Sequence, residues 1–238
     1  MMQRSNEQTI ETTVLSLGGS LIVPDHIDIE FLKRFRKLVL EFADNGKNKN
    51  KRLIIICGGG KTCRTYNQAA EKIAHIKNDD LDWLGISATK LNAELIRCIF
   101  SDYAYEKVAT DATVYIKTDK NIIIASGYTP GYSSDKVAVM QAKNFNAKTV
   151  INMTNVDRVY DSDPRTNKDA KPFDKLSWKE FLNLIGEEWI PGKNVPFDPV
   201  ASKLAMDFGI KTIILDGKNL DNLTRCLDNK DFIGTVIE

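Results

Sequence analysis

The apolar, β-favouring residues Leu53 to Ile56 run through Cys57 into three consecutive glycines, Gly58 to Gly60. A polar, cationic segment of helical character follows to Tyr66. Strand, glycine loop, helix start is an order that narrows the architecture sharply. Without a Cβ the loop backbone can approach an anion closely, and the helix N-terminus behind it carries partial positive charge. Val14 to Ser20, VLSLGGS, repeats the design, a short apolar run entering Gly18-Gly19-Ser20. Two such turns in the first quarter of one chain imply two phosphate groups to hold.

The second turn fits neither common nucleotide motif. A P-loop requires glycine five positions before Gly60, where Ile55 stands inside the apolar run,. A dinucleotide fingerprint requires a third glycine where Cys63 stands,. What is left is a tight strand-to-helix turn whose chemistry has to be read from its neighbours.

Those neighbours alternate strand-like and helical patterns. Val14 to Leu17 reads as the first strand. Phe31, Leu32, Phe35, Leu38, Val39 and Phe42 recur at spacings of three and four, a helix stopped by Asp44-Asn45-Gly46,. Further helices are expected from Thr62 to Ile76 and from Asp82 to Ile99, the latter long and amphipathic. Thr113 to Ile116 and Ile122 to Ala125 read as strands, and Ser133-Ser134-Asp135 as the cap region of a helix through Ala142,. Thr149 to Met153 reads as a buried strand, and Asn155 to Asp174 as hairpin and loop. Leu176 to Ile185 is expected to be a helix capped by Ser177, Gly192 to Pro199 a loop, and Pro199 to Phe208 a helix. Lys211 to Leu215 should be the last core strand, Asn219 to Leu227 a short helix and Thr235 to Ile237 an edge strand. This alternation predicts a three-layer α/β/α sandwich on a mostly parallel sheet. Residues 1–12 are expected to be a flexible tail and residues 13–238 a single domain.

Several function classes are set aside by composition. A formal net charge of +1 over 238 residues offers no sequence-wide basic field for nonspecific nucleic-acid binding,. No apolar run approaches the roughly 18 to 20 residues of a membrane span, and the polar N-terminus has no signal-peptide core. Cys57, Cys63, Cys98 and Cys226 show no CxxC pairing and no metal-ligand spacing with His26 or His75,. They read as buried reduced thiols of a cytoplasmic protein.

The two glycine turns, the second with Arg64 after it, are followed by more ordered motifs. These are Asp82-Trp-Leu-Gly85-Ile-Ser-Ala-Thr89-Lys-Leu-Asn92 and Gly127-Tyr-Thr-Pro-Gly-Tyr-Ser-Ser-Asp135, then Thr154-Asn-Val-Asp157-Arg-Val-Tyr160-Asp-Ser-Asp163-Pro164 and Asp198-Pro-Val-Ala-Ser-Lys203. In this order they resemble the motifs of the amino acid kinase family, and within it those of the archaeal-type uridylate kinases. The resemblance runs from Val14 onward. It implies that fold, a homohexamer, and transfer of the γ-phosphoryl group of ATP to UMP with Mg²⁺ on the donor phosphates and no protein-only metal site.

The resemblance also implies roles. Lys203 would neutralise the transferring phosphoryl group, Asp198 would help to place it, and Gly18 and Gly19 would line the transfer path with backbone N–H groups. Gly58, Gly59, Arg64, Asp82, Ser133, Ser134 and Asp135 would bind UMP, with the Arg64 guanidinium fork on the acceptor phosphate. Gly18, Ser20, Gly59, Thr154, Asn155, Tyr160, Asp163 and Lys203 would bind ATP. Two positions depart from the wider pattern: Ser16 stands where much of the family has lysine, and Arg158 where it usually has glycine. The archaeal-type branch shares the first departure, which shifts weight onto Lys203. The second bears on nucleotide preference, since a backbone requiring positive φ would be strained by arginine. Alternative readings are a phosphotransferase of this fold with another acceptor and a non-catalytic ATP- or oxyanion-binding member resembling the molybdenum storage proteins. An isopentenyl phosphate kinase is disfavoured, because Thr62 to Tyr66 contains no histidine.

Overall fold

The structure is a computed structural model that describes residues 10–44, 50–186, 188 and 195–238. The elements run β1 (Glu11–Leu17), α1 (Gly19–Ile22), α2 (Ile29–Asp44), β2 (Lys51–Cys57), α3 (Gly60–Ile73), α4 (Asn78–Ile99), β3 (Ile122–Ala125), α5 (Ser134–Asn144) and β4 (Thr149–Thr154). The short strands β5 (Val159–Tyr160), β6 (Pro172–Phe173) and β7 (Lys175–Leu176) come next. They are followed by α6 (Trp178–Ile185), α7 (Pro199–Asp207), β8 (Lys211–Asp216), α8 (Leu220–Leu227) and β9 (Thr235–Ile237).

The main sheet has the order β3-β2-β1-β4-β8-β9-β7. β3, β2, β1, β4 and β8 are mutually parallel, and β9 runs antiparallel to β8. Strands buried on both faces need side chains that are apolar on both, which is why Leu53 to Ile56 reads as an unbroken run. Alternate residues serve opposite cores. Leu15, Leu17, Leu53 and Ile55 pack with Phe35 of α2, Ala93 and Ile96 of α4 and Leu223 of α8. Val14, Ile54, Ile56 and Val150 pack with Val137 and Ala138 of α5, Phe181 of α6 and Ala201 and Ala205 of α7. Helix, sheet, helix is the expected three-layer arrangement. From β1 the chain moves outward to β2 and β3, then crosses to β4 on the other side of β1. The carboxyl ends of β1 and β4 therefore flank a topological switch point, where open α/β sheets bind their ligands.

Several boundaries differ from expectation. β1 starts at Glu11, and Thr12 is buried against Arg52, so the expected tail cannot extend to residue 12; residues 1–9 lie outside the described residues. Thr113 to Ile116 form no strand. Asp111 Oδ1 accepts from Thr113 N and Oγ1 at 2.8 and 2.6 Å, a local bond that competes with a sheet ladder. The outer edge of β3 is already occupied by the Ala104 and Ala109 bridges. α4 begins at Asn78 rather than Asp82. Thr235 to Ile237 is not the edge, because β7 pairs outside it. Leu176 belongs to that strand, and α6 starts at Trp178 behind a capping box made by Ser177 and Glu180,. Residues 45 and 46 of the expected helix stop and 192–194 of the expected loop fall outside the described residues. Cys57 and Cys226 are buried as expected, whereas Cys63 is half-buried and Cys98 exposed. Among the described residues no helix is long and apolar enough to cross a membrane.

Candidate active site

The two glycine turns form one structure. β1 and β2 end side by side, Leu17 opposite Cys57, and their turns then pack backbone to backbone. A Cβ on Gly19 would lie 2.0 Å from Gly60 N, and one on Gly58 would lie 2.5 Å from Gly19 N. Gly60 also has φ +62, a left-handed conformation open mainly to glycine,. The glycines are therefore required by this mutual contact as well as by any ligand. Of the four glycines expected at the site, Gly18 and Gly58 have their N–H groups engaged within the protein. Gly18 N donates to Met153 O at 3.2 Å and Gly58 N to Leu17 O at 3.0 Å, which close the turns onto β4 and β1. Gly19, Gly59 and Gly60 N–H have no acceptor among the described residues. They sit at the starts of α1 and α3, where helix donors are orphaned.

α4 is the bracket that holds the surrounding loops. Asp82, Gly85, Thr89 and Asn92 recur at helical spacing and so share a face. Asp82 Oδ2 accepts from Gly131 N at 3.0 Å, and Thr89 Oγ1 accepts from Gly127 N at 2.8 Å. Buried Asn92 donates through Nδ2 to Gly58 O and Gly59 O at 2.8 and 3.2 Å. Thr89 and Asn92 were not among the candidate site residues, although their spacing from Asp82 carried the signal. Arg64, exposed at the start of the second turn of α3, reaches Ser20 Oγ at 3.4 Å and so links the two glycine turns.

The N-termini of α5 and α7 meet at the same end of the sheet. Ser133 Oγ caps α5 by accepting from Lys136 N at 3.0 Å, and Ser134 is its first residue. Asp135 Oδ2 accepts from Asp198 N at 3.0 Å, across 63 residues of chain. Asp198 in turn caps α7, its Oδ1 accepting from Ala201 N at 2.8 Å with Pro199 at the first helical position,. Lys203 stands half-buried on the same helix. The approach to Asp198 is held from below by a residue that sequence reasoning missed. Asn152, the buried polar residue in the middle of β4, donates through Nδ2 to Pro196 O at 2.8 Å. Its signal was an amide inside an otherwise apolar strand, next in register to buried Ser16.

Burial pushes the Asp135 carboxyl up to about 7, with the Asp198 N–H opposing and the Asp198 charge adding to the rise. Between the ordinary carboxylate range and about 7, the folded chain holds a proton that the unfolded chain has released. The stabilisation from this group is therefore complete below about pH 4, declines as pH rises, and is absent above about pH 7. Asp135→Asn keeps an acceptor for Asp198 N but cannot titrate. Urea denaturation from about pH 4.5 to about pH 7.5 should show wild-type stability falling relative to this variant. Parallel curves for the two proteins would overturn the assignment.

Thr154, Asn155, Tyr160 and Asp163 line one cleft with Val156, Arg158, Pro164, Arg165, Leu184 and Val195. Lys203, Gly18, Ser20 and Gly59 lie outside that lining. Tyr160 donates its hydroxyl to Asp157 Oδ1 at 3.0 Å, which fixes the ring. Asp163 is held by Arg165: its Oδ1 accepts from Arg165 Nε at 3.0 Å and its Oδ2 from Nη2 at 2.8 Å. The Arg165 side chain, then its backbone N–H, bring the Asp163 carboxyl down to about 2. Asp163 thus shapes the loop. Arg158 does not have positive φ, so the arginine there carries no left-handed strain.

A sheet of this order, with paired glycine turns and orphan helix N–H groups at its switch point, defines an anion-handling α/β scaffold. Residues 11–216 match the model of the amino acid kinase family, and the chain belongs to that family. It is 35% identical to a protein named uridylate kinase from Thermoplasma volcanium, over 96% of this chain and 98% of that one. It is also 35% identical to one so named from Sulfurisphaera tokodaii, over 94% and 98%. The crystal structure of uridylate kinase from Archaeoglobus fulgidus superposes with a TM-score of 0.79 at 29% identity, covering 95% of this chain and 99% of that one.

Proposed function

We propose that this chain is a uridylate kinase that transfers the γ-phosphoryl group of ATP to UMP, giving UDP and ADP. The observation that carries the reading is the joined glycine turn. Its orphan N–H groups at Gly19, Gly59 and Gly60 sit where β1 and β2 end, with Arg64 and Ser20 linking the two turns. Phosphoryl transfer asks little covalent work of a protein and chiefly needs two anions held in line and their charge neutralised. In this reading the Thr154–Pro164 cleft takes the donor nucleotide and Arg64 the acceptor phosphate. Asp82 keeps its second carboxylate oxygen for the acceptor ribose, and Lys203 neutralises the group in transit. Asp198 and Asp135 set the position of α7.

The residues fit Mg²⁺ as an ion held chiefly by donor phosphates and water. Asp135 and Asp198 each give one oxygen to a backbone N–H, and a second carboxylate oxygen on each is a hard donor of the kind that suits an ion held mainly by phosphate and water. When bound, the ion would neutralise charge on the donor phosphates. The reading includes one catalytic domain, a homohexamer and a cytoplasmic location, the last two resting on family resemblance.

The test is an acceptor panel. Purified protein with Mg-ATP is offered UMP, CMP, AMP or isopentenyl phosphate, and ADP release is measured. UMP should give the highest kcat/KM. Absence of UMP-dependent turnover sinks the assignment, and turnover on another member of the panel replaces it.

A further inference from the structure

The donor cleft rests on a sheet of its own, two strands wide. β5 and β6 pair over two residues each, Val159 opposite Phe173 and Tyr160 opposite Pro172, and Pro172 has no N–H to give to the ladder. A hairpin this short is not stable alone. Yet β5 carries Tyr160 and leads into Asp163 and Pro164, all three in the cleft lining. What joins it to the main sheet is a hydroxyl from the last strand. Thr235, the first residue of β9, is fully buried and lies outside that lining. Its Oγ1 accepts from Val159 N at 2.8 Å, across 76 residues of chain, and donates to Phe173 O. One group thus satisfies a donor on β5 and an acceptor on β6, which requires a side chain that both takes and gives a hydrogen bond. The β6 side has a further tie to β9, Val236 N donating to Asp174 O at 2.9 Å. The ion pair of Arg158 with Asp174 links the two short strands to each other and not to β9. β5 is therefore the strand that depends on Thr235.

We infer that Thr235 is a positioning residue for the phosphoryl donor: its hydroxyl pins β5 to the main sheet and so sets the affinity of the cleft for the donor nucleotide. The inference rests on the donor role proposed for this cleft. Thr235→Val keeps the shape of the side chain and removes the hydroxyl, which leaves the Val159 N–H and the Phe173 C=O without their partner. Unpaired buried groups are costly, and β5 can recover water by lifting from β9, with a two-residue ladder to oppose it. The apparent affinity of a ligand falls with the fraction of molecules in the binding-competent state. The proposed acceptor contacts, Arg64 and Asp82, stand on α3 and α4, so UMP binding should not follow.

The experiment compares wild type, Thr235→Val, Thr235→Ser and Tyr160→Ala. Calorimetry gives the Kd of the β,γ-imido analogue of ATP with Mg²⁺, steady-state kinetics the KM values for ATP and UMP, and a thermal melt the stability. Thr235→Val should weaken the analogue and raise KM for ATP about tenfold, while KM for UMP stays within about twofold. Thr235→Ser keeps the hydroxyl and should return both donor constants to within about threefold of wild type. A Kd in Thr235→Val within about threefold of wild type, whatever its melting temperature, overturns the inference. So does an equal rise in KM for UMP, or a serine variant as weak as the valine one. Tyr160→Ala reads the cleft itself and should also weaken the analogue. If it does not, the donor role of the cleft fails and the inference falls with it, whereas an effect of Tyr160→Ala without one of Thr235→Val overturns the inference alone. Hydrogen exchange on ligand-free wild type covers a valine variant that does not fold. The Val159 amide should exchange far more slowly than a free amide, and exchange at the free-amide rate overturns the pinning of β5.

Discussion

Lys203→Ala is expected to lower kcat for UMP phosphorylation by about 10²- to 10³-fold, the loss associated with removing one preorganised charge partner from a transition state. Because the interaction proposed for Lys203 strengthens as the phosphoryl group moves, KM for UMP should change much less than kcat. The fold should be insensitive. The core face of α7 is made by Ala201 and Ala205, while Lys203 is half-buried. Steady-state kinetics beside a thermal melt check both parts. A variant that keeps kcat within about threefold would remove Lys203 from the chemistry and leave the family assignment intact.

Gly19→Ala is expected to have the largest effect on stability. The added Cβ would stand 2.0 Å from Gly60 N and 2.6 Å from the Gly58 carbonyl carbon, with backbone on both sides and no flexible side chain to yield. Forcing the two turns apart should cost about 3 kcal/mol and lower Tm by roughly 10 °C. Activity should be lost at temperatures where the variant is still folded, because the two turns that carry the orphan N–H groups of Gly19, Gly59 and Gly60 would no longer pack together. Gly209→Ala is the control. Gly209 has φ +60 but nothing within 4 Å of its would-be Cβ, so only the cost of positive φ applies, about 1 kcal/mol. Gly19 itself does not have positive φ, so a loss no larger than that of Gly209→Ala would show that the two turns yield to the added Cβ and that close approach is not what requires glycine there.

Ordered local signals made much of this legible before any coordinates. The unbroken apolar runs ending in glycine marked strands buried on both faces, and helical spacing placed α2 and all but the first turn of α4. The caps at Ser133, Ser177 and Asp198 lay where short polar side chains preceded periodic segments. The failed expectation at Thr113 to Ile116 shows the limit of local pattern. β-favouring residues make a strand only where a sheet edge is open, and Ala104 and Ala109 had taken the edge of β3. β7 was missed for a related reason: two residues carry too little periodicity to announce that they pair with β9.

The sequence by itself determined the layer architecture, the order of the motifs and the residue types at the site, because these depend on local periodicity, turn chemistry and charge. Tertiary structure decided which polar groups are engaged and which are left to act. Gly18 and Gly58 give their N–H groups to Met153 and Leu17, whereas those of Gly19, Gly59 and Gly60 have no acceptor among the described residues. Asp135 bonds Asp198 across 63 residues, and Asn152 anchors Pro196. Hydrogen-bond partners that distant in the chain leave no trace in local pattern. They exist only once the parallel sheet has brought the ends of β1, β2 and β4 and the starts of α5 and α7 to one place.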